Sequence, residues 1–261
     1  QGREGLRLAR VSALLSPRSL LRLGFEQLVV DGPVLDLRRS ADGRLLVAGI
    51  PMSAGAGGSS PAADWIFSQR EVAVRQATVR WTDERAGLPM VELADADLVI
   101  RNGPRRHQIR FDATPPAAWG QRFSLRAAMR QSLLNPRRGN WREWDGPVYA
   151  EFAQLDLAQL RAQLPPGVAH DVELLAGRGS LTAWFDLVHG EVMGGQMDLA
   201  LADASARLGP GMEPLALTQL QGRIRVRQLA SGMELQTRQL RFATAEGAQW
   251  PQGDVFLSYM R

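Results

Sequence analysis

Apolar and polar residues alternate along most of this chain. A period of two is the signature of a strand whose two faces meet different surroundings. Phe123, Leu125, Ala127 and Met129 are interleaved with Ser124, Arg126, Ala128 and Arg130. Ile224 and Val226 sit between Arg223, Arg225 and Arg227. The same pattern holds for Val72 and Val74, Val79 and Trp81, Ile109 and Phe111, Leu181 to Leu187, Leu199 and Leu201, and Leu240 and Phe242. Residues 34 to 50, VLDLRRSADGRLLVAGI, carry Leu35 and Leu37, a polar turn at Ser40 to Gly43, then Leu45 and Val47. This predicts a hairpin with one apolar and one charged face. Val91 and Leu93 keep one parity while Leu98 and Ile100 keep the other, which predicts a bulge between them.

Short turn signals separate the runs: Asn102-Gly103-Pro104, His189-Gly190, Ser231-Gly232 and Ala245-Glu246-Gly247. They suit successive antiparallel hairpins. Parallel strands need a crossover, usually helical, and helix-like segments are too few for a βαβ architecture. One or two turns are expected at Pro17 to Leu23, a turn at Asp64 to Ser68, and a helix from Asp156 to Leu164 capped by Asp156 and stopped by Pro165-Pro166. Residues 53–60 read as a flexible Gly/Ser loop. A second loop, 134–145, is where the chain would subdivide if it divides at all. The expected fold is mainly β: a long antiparallel meander curled into a groove, with few short helices, read as one continuous segment over 1–261. The chain begins at Gln1 and closes on the alternating run Asp254 to Met260 with no turn after it, which reads as a piece of a larger protein.

The residue types exclude much chemistry. There is no cysteine, hence no disulfide or thiolate. All 31 basic residues are arginine, so no lysine serves a phosphate loop or a Schiff base. Arginine is interleaved with Asp and Glu and forms no dense block for a nucleic acid. The net charge is only +4. His107, His170 and His189 lack metal-ligand spacing and read as ordinary surface histidines. Asp83-Glu84 and Asp95/Asp97 fit acidic turns better than a glycosidase pair. The seven tryptophans read as packing residues. No catalytic residue, metal site or cofactor is expected. No apolar run approaches the roughly 18 residues of a membrane span.

Four stretches carry a family resemblance: DGPVLDLRRSADGRLLVAGI (31–50), VAVRQATVRWTDERAGLPMVELADADLVIRN (72–102), GRGSLTAWFDLVHGEVMGGQMDLALADASARL (177–208) and LTQLQGRIRVRQLASGMELQTRQLRFATAEGAQWP (217–251). Together they resemble the AsmA-like superfamily, most closely the YhdP family of bacterial envelope proteins. The resemblance implies a repeating β-groove in the periplasm, in a protein anchored to the inner membrane by parts outside this sequence. It implies a non-enzymatic conduit whose partners are phospholipid acyl chains, with other envelope proteins as further partners and no role in binding nucleic acid. Residues expected to line such a groove are Leu35, Leu37, Leu45, Val47, Val74, Trp81, Leu98, Ile100, Ile109, Phe111, Phe123, Leu125, Phe185, Leu199, Leu201, Ile224, Val226, Leu240 and Phe242. The same residues also suit a closed core, and a structural scaffold, either a β-sandwich or an edge-pairing module, is the alternative reading. Coverage of the apolar face by protein separates the two.

Overall fold

The computed structural model describes residues 6–7, 10–17, 24–54, 58–133, 137–162, 173–207, 212–229 and 232–260. The helix expected at Pro17 to Leu23, His170 and the Pro165-Pro166 stop lie wholly or mostly outside them. The chain divides into two compact units. The first comprises residues 1–116, 123–148 and 187–191, and the second residues 117–122, 149–186 and 192–261. Both are built on antiparallel strands, as the alternation predicts.

In the first unit, β1 (Leu6–Arg7), β2 (Arg10–Leu14), β3 (Gln27–Asp31), β4 (Val34–Arg39), β5 (Leu45–Val47) and β6 (Ile50–Pro51) come first. The pair β7 (Ser53–Ala54) and β8 (Gly58–Ser59) forms a separate two-residue ladder within the segment expected to be loop. Helix α1 (Pro61–Ser68) follows, then β9 (Glu71–Asp83), β10 (Val91–Asn102), β11 (Arg106–Thr114) and β12 (Phe123–Arg130). The strand order is β12-β11-β10-β9-β4-β5-β6, with β3 also on β9, β2 on β3 and β1 on β4.

The expected hairpin is present, with Leu37 opposite Val47 and Arg39 opposite Leu45. One feature departs from a pure antiparallel meander: β3 and β4 both run parallel to β9. The crossover from β4 back to β9 contains α1, a helix of eight residues where the sequence suggested a single turn. Ser60 caps it by accepting the Ala63 N–H at 3.1 Å, and Pro61 occupies the first turn, where its missing N–H costs nothing.

The parity switch in β10 is a bulge, as expected. The register with β9 shifts between Leu93 and Ala96, and Asp95 has φ +46°. The partner strand bends at the same place. Gln76 in β9 has φ +51°, and its N–H donates to the Asp97 carboxylate at 2.9 Å. On the other side of β9, Gly32-Pro33 breaks β3 from β4; the Gly32 N–H donates to Arg75 O at 2.8 Å and the Thr78 N–H to Pro33 O at 2.9 Å. One kink therefore passes through adjacent strands, each backbone group finding a partner.

The second unit holds most of β13 (Gly146–Asp156), which leads into helix α2 (Leu157–Ala162), then most of β14 (Glu173–Val188) and β15 (Glu191–Arg207), and β16 (Leu215–Leu229), β17 (Gly232–Thr244) and β18 (Gln249–Met260). The order β13 to β18 is sequential, a plain meander. Asp156 caps α2 as expected, its carboxylate accepting the N–H groups of Ala158 at 3.1 Å and Gln159 at 3.4 Å. The kink device recurs: Gln239 has φ +52° at a register shift between β17 and β18, and its N–H donates to Asp254 at 2.9 Å.

Leu199 and Leu201 are 3% exposed, yet the described residues packed on their cluster come from the strands themselves, apart from Leu157 of α2. A flat single sheet leaves such side chains open to water. Among the described residues the cover comes from the sheet itself, which is what a twisted, curling sheet provides when side chains on its inner face converge. Gly179 belongs to this bend. Its φ is +156°, and a Cβ there would sit 1.9 Å from Ala200 O. Gly179→Ala is expected to destabilise the protein by about 2–4 kcal/mol, since main chain rather than a mobile side chain must yield. Urea denaturation against the unsubstituted protein measures this, and an unchanged midpoint would contradict the close approach.

Candidate functional site

Residues directly opposite one another in a ladder share a face, so the registers assign the whole apolar face of the first unit. One row is Val72, Ile100, Ile109 and Ala127, and the next is Val74, Leu98, Phe111 and Leu125. Beyond the kink come Ala77 and Ala96, with Ala113 opposite Phe123. Then Leu35, Val79 and Leu93 align, followed by Val47, Leu37, Trp81 and Val91. The last row is Leu45, Arg39 and Asp83.

These rows have three fates. At one end the face is covered by protein. Val72, Ile100 and Met129 are buried with Ala63 and Phe67 of α1 and with Trp144, and Leu98, Ile109 and Ala127 pack against the same cluster. Trp144 is 1% exposed. It stacks on His107 with ring centroids 3.8 Å apart and meets Phe67 edge-on at 4.7 Å. The Gly139 N–H donates to Asp64 of α1 at 2.6 Å, and a Cβ on Gly139 would lie 2.5 Å from the Asp64 nitrogen, so glycine lets the Trp144 loop sit against the helix.

In the middle, no second layer covers the face among the described residues. Leu35, Leu37, Val74, Leu93, Phe111 and Phe123 are half-buried around Ala77, Val79, Ala96 and Ala113, and every described residue of this cluster belongs to the sheet's own strands. At the far end the face turns polar. Asp83 is 1% exposed and ion-paired with Arg39. Burial pushes the Asp83 carboxyl up, but the Arg39 guanidinium and the Ala86 N–H outweigh it and hold the group below the usual aspartate value.

The second unit repeats the pattern. Met197 lies opposite Ile224, Leu201 opposite Leu220, and Leu220 opposite Phe242. Leu199, Leu201, Ile224, Leu240 and Phe242 join one cluster. Val226 lies opposite Gly195, whose missing side chain leaves room for Phe185 on the other side. The outer face carries the charges: Arg223 grips Asp198 at 2.6 and 2.7 Å, and Arg227 reaches Glu234 at 2.6 Å. Such exposed pairs contribute little to stability, and they keep that face wet.

All nineteen residues expected to line a groove thus fall on the strands, but not in one environment. Leu98, Ile100 and Ile109 lie at the helix-covered end. Leu35, Leu37, Val74, Phe111 and Phe123 lie together on the single-layered part, which Val47, Trp81 and Leu125 extend; Leu45 borders the ion pair. Sequence reasoning missed the cover itself. Phe67 and Ala63 sit in a segment read as one turn. His107 was read as a surface residue and is fully buried. Its hint was parity: it follows the alternation of Ile109 and Phe111 onto the apolar face, opposite Met129. Among the described residues no group of three His, Cys, Asp or Glu side chains is placed to hold a metal ion, and no helix is long and apolar enough to cross a membrane.

Burial pushes His107 down to about 4 from an ordinary value of 6.5, against an opposing hydrogen bond to the Gln131 side chain. His107 Nδ1 also lies 2.7 Å from Asn102 Oδ1. The folded state holds the ring neutral while the unfolded chain protonates it more readily. Its contribution is therefore complete above pH 6.5 and is lost as pH falls from 6.5 toward 4. The loss is of the order of 2–3 kcal/mol. Unfolding free energies measured across this range should fall in the unsubstituted protein, and the slope should flatten in His107→Phe. An identical slope in both would show that His107 does not report on the folded state.

A family model described as YhdP protein matches residues 1–261. No curated protein and no solved structure matches the chain.

Proposed function

Because the chain belongs to the YhdP family, which acts in lipid transport in the bacterial envelope, we propose that its apolar face is a non-enzymatic track for phospholipid acyl chains, lying in the periplasm between inner and outer membranes in a protein held to the inner membrane. The observation that carries this reading is the middle of the face, where, among the described residues, Leu35, Leu37, Val74, Phe111 and Phe123 pack only on one another and on the sheet beneath them. A sheet must bury its apolar face on something. Each methylene laid on that face leaves water at a gain of about 0.8 kcal/mol. The contacts are non-directional, so a chain shifted by one strand meets a similar surface and no deep trap. Charges on the outer face, and polar groups at the Arg39–Asp83 end, leave room for a wet headgroup. Nothing in this mode of action requires a nucleophile or a general base.

A second reading, a scaffold for envelope assembly, draws on the apolar side chains that β18 exposes, Phe256 at 61% and Leu257 at 56%. Exposed apolar side chains on a strand can dock against another protein. One experiment separates the two. Leu37→Asp combined with Phe111→Asp places carboxylates where acyl chains would lie, an unfavourable contact of several kcal/mol. Phospholipid co-purifying with the protein, measured by mass spectrometry, should drop at least about tenfold while circular dichroism keeps its strand signal. Undiminished lipid in the folded variant would overturn the track reading, and loss of a protein partner with lipid unaffected would favour the scaffold.

A further inference from the structure

The single-layered part of the first unit's face is bounded at both ends along the strands, and the two bounds are chemically unlike. One is the aromatic wall of Phe67 and Trp144, backed by Ala63 and the buried His107. The other is the Arg39–Asp83 pair, whose Arg39 Nε is buried without a hydrogen-bond partner. We propose that this stretch is an acyl-chain ruler: Phe67 and Trp144 stop the methyl end of a fatty acyl chain lying along the strands, and so set the chain length the track prefers. The proposal rests on the lipid reading above and adds a specificity to it.

The geometry supplies the length. From Val74, whose row meets the wall through Leu98, to Trp81, the last before the ion pair, β9 spans seven residue steps. At about 3.3 Å per residue, less what the kink at Gln76 takes up, this is roughly 20 Å. One leaflet of a bilayer, half of a hydrocarbon core about 30 Å thick, is roughly 15 Å deep. The stretch therefore accommodates one long acyl chain near full extension. Its polarity fits one direction. The rigid apolar wall offers nothing to an ester or phosphate, whereas the opposite end is polar and leaves the Arg39 side chain 23% exposed. The methyl end thus faces Phe67, and the ester end faces Arg39.

A chain that is too long must leave methylenes in water, and each one forgone is a preference of about fourfold. Moving the wall moves the preferred length. Phe67→Ala opens it, while Leu98→Trp, in the row just inside it, brings it forward. Trp65→Ala, on the exposed side of the same helix, serves as a control.

The test incubates the full chain with vesicles of equal amounts of phosphatidylcholines bearing 12 to 20 carbons per chain, then extracts and counts bound lipid by length. The unsubstituted protein and Trp65→Ala should enrich the same narrow range. Phe67→Ala should shift it two or more carbons longer, and Leu98→Trp two or more shorter, each with circular dichroism preserved. Should Phe67→Ala not fold, Phe67→Leu gives a smaller shift in the same direction. A bound distribution equal to the input, or unmoved in folded wall variants, overturns the ruler while leaving the track. No bound lipid in any of the proteins overturns both.

Discussion

A sheet one layer thick has an apolar face and nothing behind it, and burying that face is the constraint on which this protein's structure turns. The second unit answers by curling. Leu199, Leu201, Leu217 and Leu220 are buried almost entirely by other strand residues. The first unit answers in two ways on one face: a helix and Trp144 close one end, and among the described residues the middle keeps a single layer. Curling has local causes. Left-handed residues such as Gln76 and Gln239 sit where the register slips, each held by an aspartate on the neighbouring strand.

The same constraint orders the charges. Arginines interleaved with apolar residues point away from the inner face and find carboxylates across the ladder, as Arg223 does with Asp198. Arg39 and Asp83 are the exception, since they share the parity of Leu37 and Trp81 and so sit on the apolar side. A buried pair there adds little net stability, because desolvation offsets attraction. It does end the apolar surface abruptly. A smooth face with polar and aromatic limits suits a passing, flexible apolar ligand better than a reaction, which needs fixed polar groups converging on one point.

Much of the fold was legible because alternation and turn chemistry are local. The hairpin at Leu37 and Val47, the kink after Leu93 and the Asp156 cap all follow from neighbours in sequence. The strand positions expected to line a groove were readable for the same reason, since parity fixes which side chains share a face. Parity does not say what lies above that face. Ile100 and Ile109 have the same pattern as Leu35 and Leu37, yet the first pair packs under α1 and, among the described residues, nothing covers the second.

Local periodicity alone was enough to make this protein a meander of two-faced strands, wet on one side and apolar on the other, without cysteine or lysine. Tertiary structure alone decided where the apolar face is covered. Phe67 and Trp144 are far apart in the chain and meet only because α1 folds back between β4 and β9 while Gly139 lets the Trp144 loop approach it. His107 became a buried ring, and Arg39 found Asp83, 44 residues on, through a parallel pairing that local periodicity does not encode. Periodicity is a property of consecutive residues, whereas a roof over a sheet depends on contacts between segments whose spacing carries no repeat.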